Sequence, residues 1–139
     1  MKNSYTILYV DDDHDDLYLI TEAFLQFADK LKVVHAFNGL EGIRALEDMK
    51  KQHSLPCLVI LDINMPVMNG KEVLKHIKSS QDFKELPVVL FSTSNNPRDQ
   101  QFAEEWDADF ITKPVNFQDM ETMVKAFVSK CVFSIEEKV

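Results

Sequence analysis

Short apolar runs alternate with longer stretches in which apolar residues recur every three to four positions. Tyr5–Val10 (YTILYV) is β-branched and aromatic and ends abruptly in charge, which predicts a strand. From Asp15 to Phe27 the apolar positions are Leu17, Ile20, Phe24 and Phe27, one face of a helix. Lys32–Phe37 reads as a second strand, closed by a turn at Asn38-Gly39, and Leu40–Met49 as a helix. Cys57–Leu61 (CLVIL) and Val88–Phe91 (VVLF) are apolar at every position, as strands buried on both faces of a parallel sheet are. Asn69–Ile77 is helical between them. Asn96-Pro97 gives an N-cap and first helical residue for a polar helix reaching about Trp106. Asp109–Thr112 is a short fifth strand. Phe117–Phe133 is the last helix, with Met120, Met123, Val124, Phe127 and Val128 inside and a frayed tail at 134–139.

Five strand–helix units in succession predict an α/β doubly wound parallel sheet with helices on both faces. Ligand sites in such sheets lie beyond the carboxyl ends of the strands. There the chain puts Asp11, Asp12 and Asp13, then Asp62 and Asn64, then Ser92, Thr93 and Ser94, then Lys113 and Pro114. Carboxylates clustered this closely raise one another's pKa unless a cation offsets them. A hard divalent ion such as Mg²⁺ suits a few carboxylates plus water. An ionised Asp beside it is a nucleophile toward phosphorus, with Lys and a hydroxyl to stabilise the phosphoryl oxygens.

The 139-residue chain is 45% hydrophobic, which supports one ordinary folded domain over residues 1–139 with its core at about 5–131. A formal net charge of −8 argues against nucleic acid or an anionic membrane as a direct partner. Cys57 and Cys131 lie far apart without metal-ligand spacing, so neither a disulfide nor a zinc site is expected, and a reducing cytoplasm is the plain reading. No signal peptide or membrane-spanning run is present. His14, His35, His53 and His76 show no ligand spacing.

The segments ILYVDDD, LVILDINMPVMNG, PVVLFSTS and FITKPV, in this order and spacing over about Tyr5–Cys131, resemble the receiver domain of two-component response regulators. The resemblance implies a flavodoxin-like sheet in the order 2-1-3-4-5 and a stand-alone member of the branch linked to light and stress sensing. It makes Asp62 the phosphoacceptor. Asp12 becomes a direct Mg²⁺ ligand, Asp11 a ligand through water, and Asn64 a donor through its carbonyl. Ser92 matches the switch hydroxyl, and Lys113 the lysine that pairs with the acceptor and then with the phosphoryl group. Phe110 matches the aromatic switch position, though it also fits as a core aromatic. The Lys113-Pro114 peptide is implied to be cis. Implied partners are a histidine kinase or histidine phosphotransfer protein and a downstream protein on the face of helix 4, strand 5 and helix 5, with a homodimer open. The chain is then no enzyme beyond its own phosphorylation and dephosphorylation. Three departures stand out: Asn69 where relatives often have Asp, Asp107 where Gly often ends the fourth helix, and a long Ser79–Pro87 connection.

Several rival readings are weaker. A Mg²⁺-dependent phosphatase with an Asp nucleophile needs an acid two residues on, where Asn64 stands. A phosphorylation-independent module leaves the Asp, Ser and Lys set without purpose, and a flavodoxin-like electron carrier lacks its phosphate loop. An EF-hand on Asp11, Asp13, Asp15 and Glu22 has Asp16 where the loop needs Gly. Within DDDHDD, Asp11 and Asp12 are thus the metal pair, Asp13 is a loop residue or N-cap, and Asp15 and Asp16 favour the helix dipole.

Overall fold

Alternation within the strands builds the fold. In β1 (Tyr5–Val10), β3 (Leu58–Asp62) and β4 (Val88–Ser92), successive side chains enter opposite layers. Ile7, Tyr9, Leu58, Ile60, Val89 and Phe91 face a core closed by α1 (His14–Phe27) and α5 (Phe117–Glu137). Leu8, Val10, Val59, Leu61, Val88 and Leu90 face a second core closed by α2 (Gly39–Lys51), α3 (Gly70–Ser79) and α4 (Pro97–Glu105). With β2 (Leu31–Ala36) and β5 (Asp109–Thr112), the strands form one parallel sheet in the order β2-β1-β3-β4-β5. The computed structural model describes residues 5–137, and within α5 the side chains of residues 119–131. None of the described helices is long and apolar enough to cross a membrane.

The caps explain where the helices start. Asp13 Oδ1 accepts the backbone N–H groups of Asp15 (2.9 Å) and Asp16 (3.2 Å), so Asp13 is the N-cap of α1. Asn69 forms a reciprocal capping box with Glu72, and Asn96 precedes Pro97 at the start of α4. Asp107 takes φ +55° after α4, and the Ala108 N–H returns to the Ala103 carbonyl at 2.8 Å. Asp therefore fills the left-handed position where Gly is common.

Four expectations change. Asn38 is the N-cap of α2 through the Glu41 N–H, not part of a free-standing turn. Helix α5 continues to Glu137 because no Gly or Pro interrupts Phe117–Glu137, so residues 134–137 of the expected frayed tail are helical. Lys138 and Val139 lie outside the described residues. Cys57 and Cys131, expected as unpaired, are joined by a disulfide with their Cα atoms 4.9 Å apart. Their 74-residue separation hid this, since only the docking of α5 on the sheet brings them together. Finally, the Lys113-Pro114 peptide expected in cis is trans. Trans is the lower-energy isomer by roughly 0.5–1 kcal/mol, and in it the Lys113 N–H already reaches the Ser92 carbonyl at 2.7 Å.

Gly70 holds the start of α3 against the end of β3. Its N–H donates to the Ile63 carbonyl at 2.9 Å, and a Cβ there would collide with the Asp62 carbonyl and come within 2.9 Å of the Ile63 Cα. Both obstacles are backbone, so neither can swing aside. Gly70→Ala is expected to cost about 1–3 kcal/mol, read as a lowered urea midpoint.

Candidate functional site

The parallel register carries four strand ends to one edge of the sheet. Leu61 pairs with Val10 and Leu90, Asp62 with Phe91, and Ser92 with Thr112. The residues following β1 and β5 are thereby set beside the last residues of β3 and β4. Asp11 and Asp62 are buried, whereas Asp12 is exposed. Carboxylate oxygens of Asp11, Asp12 and Asp62 all lie within 4.8 Å of one another. Oxygen donors of this charge and spacing fit a hard divalent cation.

Lys113 arrives from the opposite side. Its Nζ is 3.0 Å from Asp11 Oδ2, 3.2 Å from Asp62 Oδ1 and 2.7 Å from Asp16 Oδ2, and its side chain is 9% exposed. The Phe91 ring sits below, 5.5 Å from the ammonium. Burial alone would lower the Lys113 pKa, but hydrogen bonding to Asp16 and the charges of Asp11 and Asp62 hold it above its ordinary value. The ammonium therefore stays charged.

Asp11 is held from three directions. Oδ2 accepts from the Tyr9 phenol (2.6 Å) and from Lys113, and Oδ1 accepts the Asp13 N–H at 3.0 Å. Burial, then the Asp11 carboxylate, push the Tyr9 phenol far above its usual range, so it remains a donor. The Asp12 carboxylate, by contrast, has no hydrogen bond or ion pair among the described residues. Ser92 is 1% exposed, and its Oγ accepts the Ser94 N–H at 3.1 Å. Asn64 is exposed two residues beyond Asp62. Phe110 is partly buried against the α2–α3–α4 core, away from the carboxylates.

The structure thus brings Asp11, Asp12, Asp62 and Lys113 together, with Ser92 at the end of the adjacent strand. Tyr9, Phe91 and Asp16 were missed from sequence. A phenol two residues before Asp11 in an apolar strand is a legible signal for Tyr9. For Asp16, 97 residues from Lys113, no local signal exists.

Residues 7–125 match the family described as the response regulator receiver domain. This chain belongs to that family. The receiver is 33% identical over 125 residues to the two-component response regulator ORR3 of Oryza sativa, covering 89% of this chain and 91% of the relative. It is 31% identical over 126 residues to the response regulator Rcp1 of Synechocystis, covering 88% and 86%. Among solved structures, the phosphorylated cyanobacterial phytochrome response regulator RcpA superposes with a TM-score of 0.80 at 33% identity, covering 90% of this chain and 91% of that one. A Mn²⁺-bound form of Rcp1 superposes with a TM-score of 0.75 at 31% identity, covering 90% and 92%.

Burial pushes the Asp62 carboxyl up to about 6; Asp11 and Asp12 add to the rise and Lys113 opposes it. Unfolded, the same group titrates near 4. The folded chain thus binds this proton more tightly, and ionising Asp62 works against folding. That cost is absent below about pH 4, grows between about 4 and 6, and is complete above. In chelator-treated protein, Asp62→Asn is expected to gain about 1–2 kcal/mol over wild type at pH 7.5, after allowance for residual solvent. The gain should vanish near pH 4, as followed by thermal melts.

Proposed function

We propose that this receiver is a phosphorylation-activated signalling switch with Asp62 as its phosphoacceptor. The observation that carries the reading is the convergence on Asp62 of two further carboxylates, Asp11 and Asp12, and the Lys113 ammonium. The donor is a histidine kinase or a histidine phosphotransfer protein. A carboxylate oxygen of Asp62 bonds to phosphorus as the P–N bond of phosphohistidine breaks. The electron pair stays on the imidazole nitrogen, which takes up a proton. Hydrolysis reverses the gain: water attacks phosphorus, the P–O bond to Asp62 breaks, and the carboxylate returns. The chain is catalytic only toward these two steps on itself.

Asp11, Asp12, Asp62 and the Asn64 carbonyl would hold Mg²⁺, which, when bound, neutralises charge on the phosphoryl oxygens. Asp12 would be the direct ligand and Asp11 would act through water. Supporting that division, Asp11 oxygens already accept from Tyr9, Lys113 and the Asp13 N–H, whereas Asp12 is exposed. Lys113 meets the phosphoryl oxygens, and Ser92 turns its hydroxyl toward them by giving up the Ser94 contact. Phe110 then follows Ser92 inward and alters the face of α4, β5 and α5, where a downstream protein or a second copy docks. We read residues 1–139 as a single receiver domain, acting through protein contacts without direct nucleic acid or membrane binding. We place it in the cytoplasm.

Incubation with acetyl phosphate and Mg²⁺ should label the wild type and leave Asp62→Ala unlabelled; label surviving in Asp62→Ala would sink the assignment. Asp12→Ala should abolish Mg²⁺ binding, measured by titration calorimetry. Asp13→Ala should keep Mg²⁺ binding while losing about 1 kcal/mol of stability with its helix cap.

A further inference from the structure

Lys113 lies nearer to a residue of α1 than to either carboxylate at the strand ends. Its Nζ–Asp16 Oδ2 distance is 2.7 Å, against 3.0 Å to Asp11 and 3.2 Å to Asp62. An ammonium has three N–H donors and no acceptor. Hydrogen bonds go to Asp11 and Asp16, Asp62 adds an ion pair, and the shortest contact goes to the residue farthest from any metal role.

The helix does not need the Asp16 side chain for its own start. Asp16 occupies the third position of α1, from which an acidic side chain commonly turns back to the N-cap N–H. Here the Asp13 N–H is already taken by Asp11 Oδ1 at 3.0 Å. The Asp16 backbone is pinned by its own N–H on Asp13 Oδ1. Its carboxylate is thereby released from capping and directed across the sheet edge to a lysine 97 residues later. The contact is partly sheltered, with Lys113 and Asp16 side chains 9% and 31% exposed, and Phe91 closes it from below.

We propose that Asp16 is a positioning residue for phosphoryl transfer, acting through Lys113. Without it the ammonium is drawn toward Asp11 and Asp62 alone. It then lies over the oxygens that must meet phosphorus and metal. With Asp16 in place, Lys113 is anchored on the α1 side, and it touches a single oxygen of Asp11 and a single oxygen of Asp62, the latter at the longest of the three distances. An incoming phosphoryl oxygen can then take over the Asp62 share of the ammonium while Asp16 keeps the rest. The inference rests on the phosphoacceptor reading of Asp62 and adds a residue and a role to it.

The test measures phosphorylation by acetyl phosphate at saturating Mg²⁺, together with Mg²⁺ affinity, in wild type, Asp16→Asn and Asp16→Glu. For Asp16→Asn the expected result is a rate lowered about five-fold, the scale of one partly exposed charged hydrogen bond, with Mg²⁺ affinity unchanged. Asp16→Glu should recover most of the rate because it keeps a carboxylate at the same helical position. A double-mutant cycle on thermal stability with Lys113→Met should show that Asp16→Asn destabilises more when Lys113 is present than when it is absent, the remainder being the loss of its charge from the first turn of α1. An unchanged rate in Asp16→Asn, a loss that Asp16→Glu shares, a parallel loss of Mg²⁺ affinity, or additive stability effects would each overturn the inference. A wild type that takes up no phosphoryl group would overturn the phosphoacceptor reading itself, and this inference with it.

Discussion

One ammonium is set among four carboxylates at the end of a buried sheet. Asp11 and Asp62 are taken out of water by the strands that carry them, and like charges so close oppose folding unless something offsets them. Lys113 supplies that offset within the chain, and it touches Asp11, Asp16 and Asp62 at once. Burial first, and then the charges of Asp11 and Asp12, still raise the Asp62 carboxyl against the pull of Lys113. The excess of carboxylates over ammonium fits a site for a divalent cation.

The surrounding fold keeps that arrangement from relaxing. Tyr9 and Phe91 come from the same face of neighbouring parts of the sheet, meet edge to face at 6.1 Å, and lie beneath Asp11 and Lys113. Gly70 presses the start of α3 onto the Asp62 carbonyl, fixing the strand end where chemistry is expected. Asp13 ties the first turn of α1 to the same network through Asp11. The DDDHDD run is therefore divided by geometry. Asp11 is the buried hub and Asp12 the exposed arm, Asp13 caps the helix, and Asp16 reaches the lysine.

Much of this was legible in the order of residues. Wholly apolar Cys57–Leu61 and Val88–Phe91 could only be strands covered on both sides, and their neighbours had to be helices. The candidate residues Asp62 and Ser92 were singled out because they directly follow those strands, and Asp11, Asp12 and Lys113 because they follow the first and fifth. Local rules also placed the caps at Asn69 and Asn96, whose partners lie within three residues. The same local logic failed at Asn38-Gly39, where a cap looks like a turn, and at residues 134–137, where a helix without breakers outran its apolar face.

The sequence by itself determined the alternation of strands and helices, the two-sided burial of the sheet and the set of residues at its carboxyl edge. Periodicity and composition act over a few residues, so they can be read along the chain. Only the tertiary structure decided that Asp16 meets Lys113 and that Cys57 meets Cys131. These pairings join residues 97 and 74 positions apart, set by how α1 and α5 dock beside the sheet. Such pairings follow from distances in space, which local pattern does not encode.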